Sequence, residues 1–366
     1  MKLTISRANL VALLATCTPI AKAKTTRPEL SCVLVEQGQG VLTVSATDLY
    51  QSVVARASSE STDKGAVCVN AKDLTSRVAT FPEGPITLAL VEDKLHLSAG
   101  KRKHRLPTIP VDDFPKLDSH ELATGWKLDA AQFRSLLERV RPAAREDQHT
   151  SLHSVCLTTK GDTLTAAATD GHHLHIATYE NAGRLAAPLV VPLPAVDAVL
   201  ALLAKASGEM MIGLTGNRFT VRLGDTVFSS ALVDAKYPPV EDLLAAQKAT
   251  LSIQAPRDAL IDALRSVSLA TADGALAGLV VVGIDGDEMT LTGEGKGAAS
   301  DAVPLDAPAE APFRFAIMAP LLLQALSPLA PSSSATIHLG PDPISPVRLS
   351  SATLPGYLAV VMPCNT

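Results

Sequence analysis

The densest concentration of chemically capable side chains in this sequence is Asp170, His172, His173 and His175, in and just after the segment TLTAAATDGHHL. On an extended strand successive side chains alternate between faces, so His173 and His175 share one. A carboxylate beside two imidazoles leaves a metal site or a hydrolytic centre formally open. A third ligand would have to come from His149 or His153. The plainer expectation is a rim strand with one packed histidine and two exposed ones. The chain carries no GxSxG elbow, no phosphate-cradling P-loop and no HExxH helix. Its five cysteines, Cys17, Cys32, Cys68, Cys156 and Cys364, make no CxxC or Cys/His zinc spacing. Four of them sit in apolar periodic segments and read as small core residues, and Cys364 lies near the terminus. These patterns argue against an enzyme, a resident metal and a cofactor.

The elements that position this segment occur three times. Apolar residues at i, i+3, i+4 and i+7 mark a helix at Leu10, Leu13, Leu14 and Cys17. The pattern recurs at Phe133, Leu136, Leu137 and Val140, and again at Leu260, Ala263, Leu264 and Val267. The strands VLTVSATDLY and TLTAAATDGHHL carry Ala-Thr-Asp at the same place, and EMTLTGEG is a reduced third version. A second helix begins near Asn70, Pro194 and Pro320. The strand pairs ITLAL/KLHLSA, MMIGLT/RFTVRL and ATIHL/PVRLSS come after them. Each copy closes on Phe114-Pro115, Tyr237-Pro238 or Met362-Pro363. Internal repetition decides the fold before any local motif does. The expectation is an α+β protein of three tandem modules, 1–122, 123–247 and 248–366, each with two helices packed on antiparallel sheets. Linkers are expected at Ser119–Gly125 and near Leu244–Thr250, and a Pro/Ala-rich loop at Asp301–Pro312.

Composition sets limits. The hydrophobic share is 47% but aromatics make up only 3%, so Ala, Leu and Val build the cores. Net charge is −5, and the last third is the acidic one, with 6 Lys/Arg against 11 Asp/Glu over 248–366. A generic polybasic nucleic-acid binder is excluded, so any such contact is local. The start MKLTISRANLVALLATCTPIAKA has the outline of an export signal. However, MKLTIS alternates like a strand, and Ser6 suits the N-cap of the helix after it. With an odd cysteine count, a reduced cytoplasmic compartment fits best. No run of about 20 apolar residues marks a membrane span.

The start MKLTISRANL, the SATDL strand, ATDGHHL, DAKYPPV and the ending YLAVVMP together resemble the bacterial replicative sliding clamp, the beta subunit of DNA polymerase III. The resemblance covers the whole chain. It implies a head-to-tail homodimer closing a six-module ring around double-stranded DNA without sequence preference. It implies no chemistry, only a processivity factor. A moderately basic lining suits sliding, because every extra phosphate contact adds salt-sensitive grip. The candidate DNA-facing residues are Lys22, Lys24 and Arg27 after the first helix, Lys72, Arg77 and Lys205 on the second helices, and Arg134 and Arg141 on the helix starting at Asp129. Arg257 and Arg265 are the corresponding residues of the third module, beside Asp258 and Asp262.

The same resemblance implies a groove for the peptides of a clamp loader, the polymerase III alpha subunit and other clamp-motif proteins. Its residues would be Leu152, Thr169, Gly171, His172, His173, Leu174, Pro238, Leu243, Val360, Val361, Met362 and Pro363. A ring interface would join the edge strand Lys103–Leu106, with His104, to the third module near Ser268 and Leu269. An unpaired edge invites strand addition. The sequence departs from the family at His173, where an arginine is usual, at Glu241 and Asp242, and at Cys364-Asn365-Thr366, where a basic residue is usual. The groove mouth should therefore be less positive. The alternative is a specialised second clamp copy, an inhibitor-resistance or repair variant with an altered groove.

Overall fold

The computed structural model of the chain describes all residues except 62, 118–121, 123–124, 146–151, 181–182, 184, 186, 246–247, 272–276, 296 and 366. His149, Thr366 and parts of both expected linkers therefore lie outside the described residues.

Along the described residues the chain runs strand, helix, four strands, helix, three strands, and does so three times. The first pass goes from Lys2–Ser6 to Arg102–Pro107, the second from Trp126–Asp129 to Thr226–Ala231, the third from Leu251–Pro256 to Tyr357–Val361. A short helix, Val240–Ala245, falls between the second and third passes. The first helix, Arg7–Cys17, starts where Ser6 stays extended and its Oγ accepts from Asn9 N at 3.2 Å. Asn70 caps helix Ala71–Ala79 in the same way through Asp73 N at 3.0 Å. All twelve residues of the three apolar stripes are buried. The stripes thus report the packed face of each leading helix.

Two compact units result. The first comprises Met1–Ala131 and Asp197–Leu232, the second Gln132–Val196 and Val233–Thr366. Each contains one eight-stranded and one four-stranded antiparallel sheet. In the first unit, strand Gln51–Ser58 pairs with Thr226–Ala231, about 175 positions later, so one sheet draws on two widely separated stretches. In the second unit, strand His173–Tyr179 pairs in the same fashion with Tyr357–Val361. Compactness is therefore set by these long-range pairings and not by the threefold order along the chain.

Three local expectations change. Asp301–Pro304 is not loop: it completes strand Ala298–Pro304, paired with Glu288–Glu294 and burying Val303. Pro304 is tolerated because it ends the strand, where its missing N–H costs no ladder bond. Helix Leu193–Leu203 stops before Lys205, which lies in the following turn, where Ala206 N bonds Leu203 O at 3.0 Å. Helix Ala130–Val140 likewise ends before Arg141, because Pro142 lacks the N–H that would continue it.

Candidate functional site

The candidate groove lies in the second unit, where strands Thr163–Thr169, His173–Tyr179 and Tyr357–Val361 run side by side. The tight turn between the first two is fixed by its own side chains. Asp170 Oδ1 accepts from His172 N at 2.8 Å and His173 N at 2.9 Å. Thr169 Oγ1 donates to His173 O at 2.6 Å and accepts from Gly171 N at 3.1 Å. Gly171 takes φ +95°, a left-handed conformation that costs glycine nothing. Tyr237 reaches across from the segment before the short helix, and its hydroxyl accepts from Thr169 N at 3.0 Å. Met362 N donates to His172 O at 2.8 Å, which docks the C-terminal segment against the turn. Cys364 N then bonds Ala316 O at 2.8 Å and ties down the chain just beyond Pro363.

The sheet presents two faces here. On one, Ala167, Leu174, Ile176 and Val360 form a buried apolar cluster, with Val240 and Leu244 of the short helix packed against it. Leu243, next to Leu244 in the short helix, and Met362, two residues after Val360, are 47% and 39% exposed, two large apolar side chains left to solvent. Gly171 and His172 are exposed, and Pro238 and Pro363 are half-buried. On the other face lie His173, His175, Tyr357 and Val361, all buried. His173 and Val361 therefore back the groove and do not line it. The missing arginine charge is not replaced by an imidazole at the mouth, because His173 is only 4% exposed. Leu152 is half-buried just before strand Ser154–Lys160, which pairs with Thr163–Thr169, and its carbonyl accepts from Arg145 N at 3.0 Å.

The histidines are thus two packed and one exposed, the reverse of the expected ratio. His173 Nδ1 lies 2.8 Å from Asp170 Oδ1, and its ring meets that of His175 edge-on at 5.2 Å. His175 Nδ1 donates to Arg139 O at 3.0 Å. Tyr357 donates to Ala325 O at 2.9 Å. Burial, with the neighbouring His173 second, pushes the His175 pKa down to about 3. Burial opposes the Asp170 carboxylate, but hydrogen bonds from the His173 side chain and from two backbone N–H groups outweigh it and hold its pKa below the usual range. Burial raises the Tyr237 and Tyr357 phenols. Among the described residues no three His, Cys, Asp or Glu side chains converge as metal ligands. Each buried imidazole is anchored through Nδ1 by a protein acceptor and packs into the core, while Nε2 of His173 and of His175 is buried without a hydrogen-bond partner.

The sequence reading missed Ala167, Ile176, Val240, Leu244 and the Tyr237 hydroxyl. Alternation from Leu174 would have found Ile176 on the same face. The tyrosine in DAKYPPV carried a signal as well, since a buried phenol seeks a partner.

The edges expected to meet a second copy differ in character. Strand Arg102–Pro107 is an edge of its four-stranded sheet, with Arg102, Lys103 and Arg105 exposed. His104 is half-buried, edge-on to Phe81 at 5.1 Å. Leu106 is buried within its own unit. Ser268 ends helix Arg257–Ser268, and Leu269 is 77% exposed just beyond it. In the second unit Ala298–Pro304 is an edge of its sheet, near the exposed acids Glu288 and Glu294. It went unnoticed because an Ala/Pro-rich stretch hides alternation.

The basic residues divide. Lys22, Lys24, Lys72 and Lys205 are exposed. Arg27 pairs with Glu29 at 2.6 Å, Arg134 with Glu138 at 3.5 Å, and Arg77 lies 3.4 Å from His104 Nδ1. Arg141 is half-buried. At the starts of the leading helices, Arg7 pairs with Glu83, and Arg257 with Asp258 at 2.6 Å.

Paired helices on antiparallel sheets, in an order repeated three times, make up the DNA-clamp fold. A structure titled Caulobacter crescentus pol III beta superposes at a TM-score of 0.93 over 100% of both chains, at 24% identity. Models for the N-terminal and central domains of the DNA polymerase III beta subunit match residues 1–118 and 127–239. The beta sliding clamp of Proteus mirabilis is 30% identical over 250 residues, 67% of this chain and 68% of that protein. The beta sliding clamp of Salmonella typhimurium is 28% identical over 248 residues, with the same coverage. The chain belongs to the DNA polymerase III beta subunit family. It is a sliding clamp, a non-catalytic processivity factor of the polymerase, and the family to which it belongs binds DNA and polymerase partners and forms dimeric rings. Among the described residues no helix is long and apolar enough to cross a membrane.

Proposed function

We propose that two copies of this chain join head to tail into a six-module ring that encloses duplex DNA in the cytoplasm. The three modules are 1–122, 123–247 and 248–366. The basic edge Arg102–Pro107 of one copy meets the edge Ala298–Pro304 and Leu269 of the next, where complementary charge steers association. Lys22, Lys24, Lys72 and Lys205 face the duplex, with Arg27, Arg77, Arg134 and Arg141 as weaker contributors because each is paired or half-buried. Few free cations suit a ring that must slide.

Clamp-motif peptides of the clamp loader, the polymerase alpha subunit and other partners seat on Leu243 and Met362, over the floor made by Leu174 and Val360. The observation that carries this is the exposure of those two apolar side chains, each within two residues of a member of the buried cluster or of the helix packed on it. Gly171, His172, Pro238 and Pro363 shape the rim, the buried Thr169 holds its turn from beneath, and Glu241 and Asp242 make it unwelcoming to acidic peptides. The alternative of a specialised second copy gains no separate support from the fold or the relatives. Primer extension on a primed circular template, with the polymerase and clamp loader of the same source, tests the reading. The chain is expected to lengthen the products of each binding event. Unchanged product length, with the dimer intact, would favour the specialised copy.

A further inference from the structure

The turn that begins the candidate groove has a counterpart in the first unit with a different surface. Thr47, Asp48, Leu49, Tyr50 and Gln51 repeat its hydrogen bonds. The left-handed position, however, belongs to Leu49 at φ +80°, not to glycine. A leucine held there is strained, and such strain persists where the surroundings fix it and tends to gather at functional sites. Here the surroundings do fix it. The Tyr50 carbonyl accepts from Arg218 Nη2 at 2.7 Å and from Ala231 N at 2.8 Å. The result is a rigid base with its apolar side chains turned outward: Leu49 is 46% and Tyr50 67% exposed. The Lys22 ammonium lies 5.8 Å from the centre of the Tyr50 ring. Lys24, two residues on, is also exposed.

We propose that Tyr50, with Leu49 and Lys22, is a stacking site for an unpaired DNA base. The proposal rests on the clamp reading and adds a single-stranded ligand to it. An exposed aromatic ring offers its face to any base, without sequence preference. Lys22 and Lys24 supply positive charge where the flanking phosphates would run. Paired bases keep their faces inside the helix, so only a single-stranded segment, such as template next to a primer end, can use the site. The anchored backbone beneath the ring loses little freedom on binding, which favours a modest but usable affinity.

The test is fluorescence anisotropy of a labelled oligothymidylate with the full-length chain at low salt. Tyr50→Ala should weaken binding by roughly 10-fold, the loss of one stacked base, while Tyr50→Phe retains it. Lys22→Ala should weaken binding and flatten its salt dependence. Retention of the loaded ring on nicked circular duplex should be unchanged in Tyr50→Ala and Tyr50→Phe. Absence of oligothymidylate binding by the unaltered chain would overturn the proposal, as would equal binding by Tyr50→Ala or loss in Tyr50→Phe. Loss of clamp-loader binding in Tyr50→Ala with oligothymidylate binding intact would assign the surface to a protein and overturn it too. Failure of duplex retention in the unaltered chain would instead remove the clamp reading itself. Tyr50 is mostly solvent-exposed, and matching melting temperatures would show that the variants fold.

Discussion

The turns at 47–51 and 169–173 share a backbone and differ in almost everything else. In both, a threonine hydroxyl bonds the fifth residue's carbonyl, and an aspartate caps the fourth and fifth N–H groups. In both, a later strand docks alongside, through Ala231 N to Tyr50 O or Met362 N to His172 O, each at 2.8 Å. The register matches as well: Gln51 faces Ser230, and His173 faces Val361. Where the second unit places Val360, Val361 and Met362, the first places Ser229, Ser230 and Ala231. Arg218 crosses these serines, its Nε donating to Ser229 Oγ at 2.9 Å. Duplication thus preserved the hydrogen bonds and freed the side chains. One copy keeps an apolar floor with two exposed anchors, and the other is filled with polar groups and offers an aromatic ring.

The contrast between the two turns is open to attack at several points. The largest effect is expected from acid. His175 is buried and its pKa is lowered, so the unfolded chain binds its proton more readily than the folded one. The stability it contributes is complete above about pH 6.5 and is lost as pH falls toward about 3, by roughly a few kcal/mol. Urea titrations across this range should show that loss, and His175→Phe should flatten it. An unaltered slope would mean another group governs acid sensitivity.

Next in size is the groove. Met362→Asp with Leu243→Asp should weaken a clamp-motif peptide by about 30-fold or more, as removal of a central anchor does. Calorimetry would measure it, and sedimentation should still find a dimer. Placing charge at the matching position, Ala231→Asp, should leave peptide affinity unaltered. If it does not, the two turns are not functionally distinct.

At the ring edge, Leu269→Asp should shift the chain toward monomer by sedimentation, by roughly the 1–3 kcal/mol of one buried leucine. A dimer of unchanged strength would place the interface elsewhere. Leu106 is unsuitable for this purpose, since it is buried in its own unit and its replacement would test folding.

The smallest effect concerns the left-handed residue. Leu49→Gly relieves a strain of roughly 1–2 kcal/mol. It gives back about 0.5–1 kcal/mol in unfolded-chain freedom. The net gain should stay near or below about 1 kcal/mol, read from denaturant midpoints. Gly171→Leu should move the other way. Destabilisation by Leu49→Gly would mean that the leucine packs more than its exposure suggests.

The fold was legible in the sequence wherever it was local and periodic. The stripes Leu10 to Cys17, Phe133 to Val140 and Leu260 to Val267 place three helices, and Ser6 marks the start of one. Pairing across long separations was not legible. Alternation tells which face a residue takes, but nothing in Gln51–Ser58 announces Thr226–Ala231 as its neighbour. His173 is a different case: the resemblance pointed it to the groove, whereas alternation from the floor residue Leu174 already puts it on the opposite face, as its register with Val361 does. Ala298–Pro304 was hidden by prolines that end a strand as readily as they begin a loop.

Topological linkage to DNA is the property on which all the others depend. Loaded onto nicked circular duplex, the protein should remain bound through gel filtration in high salt and leave once the DNA is cut to a linear form. Release from the intact circle at high salt, or retention on the linear form with open ends, would contradict an enclosing ring.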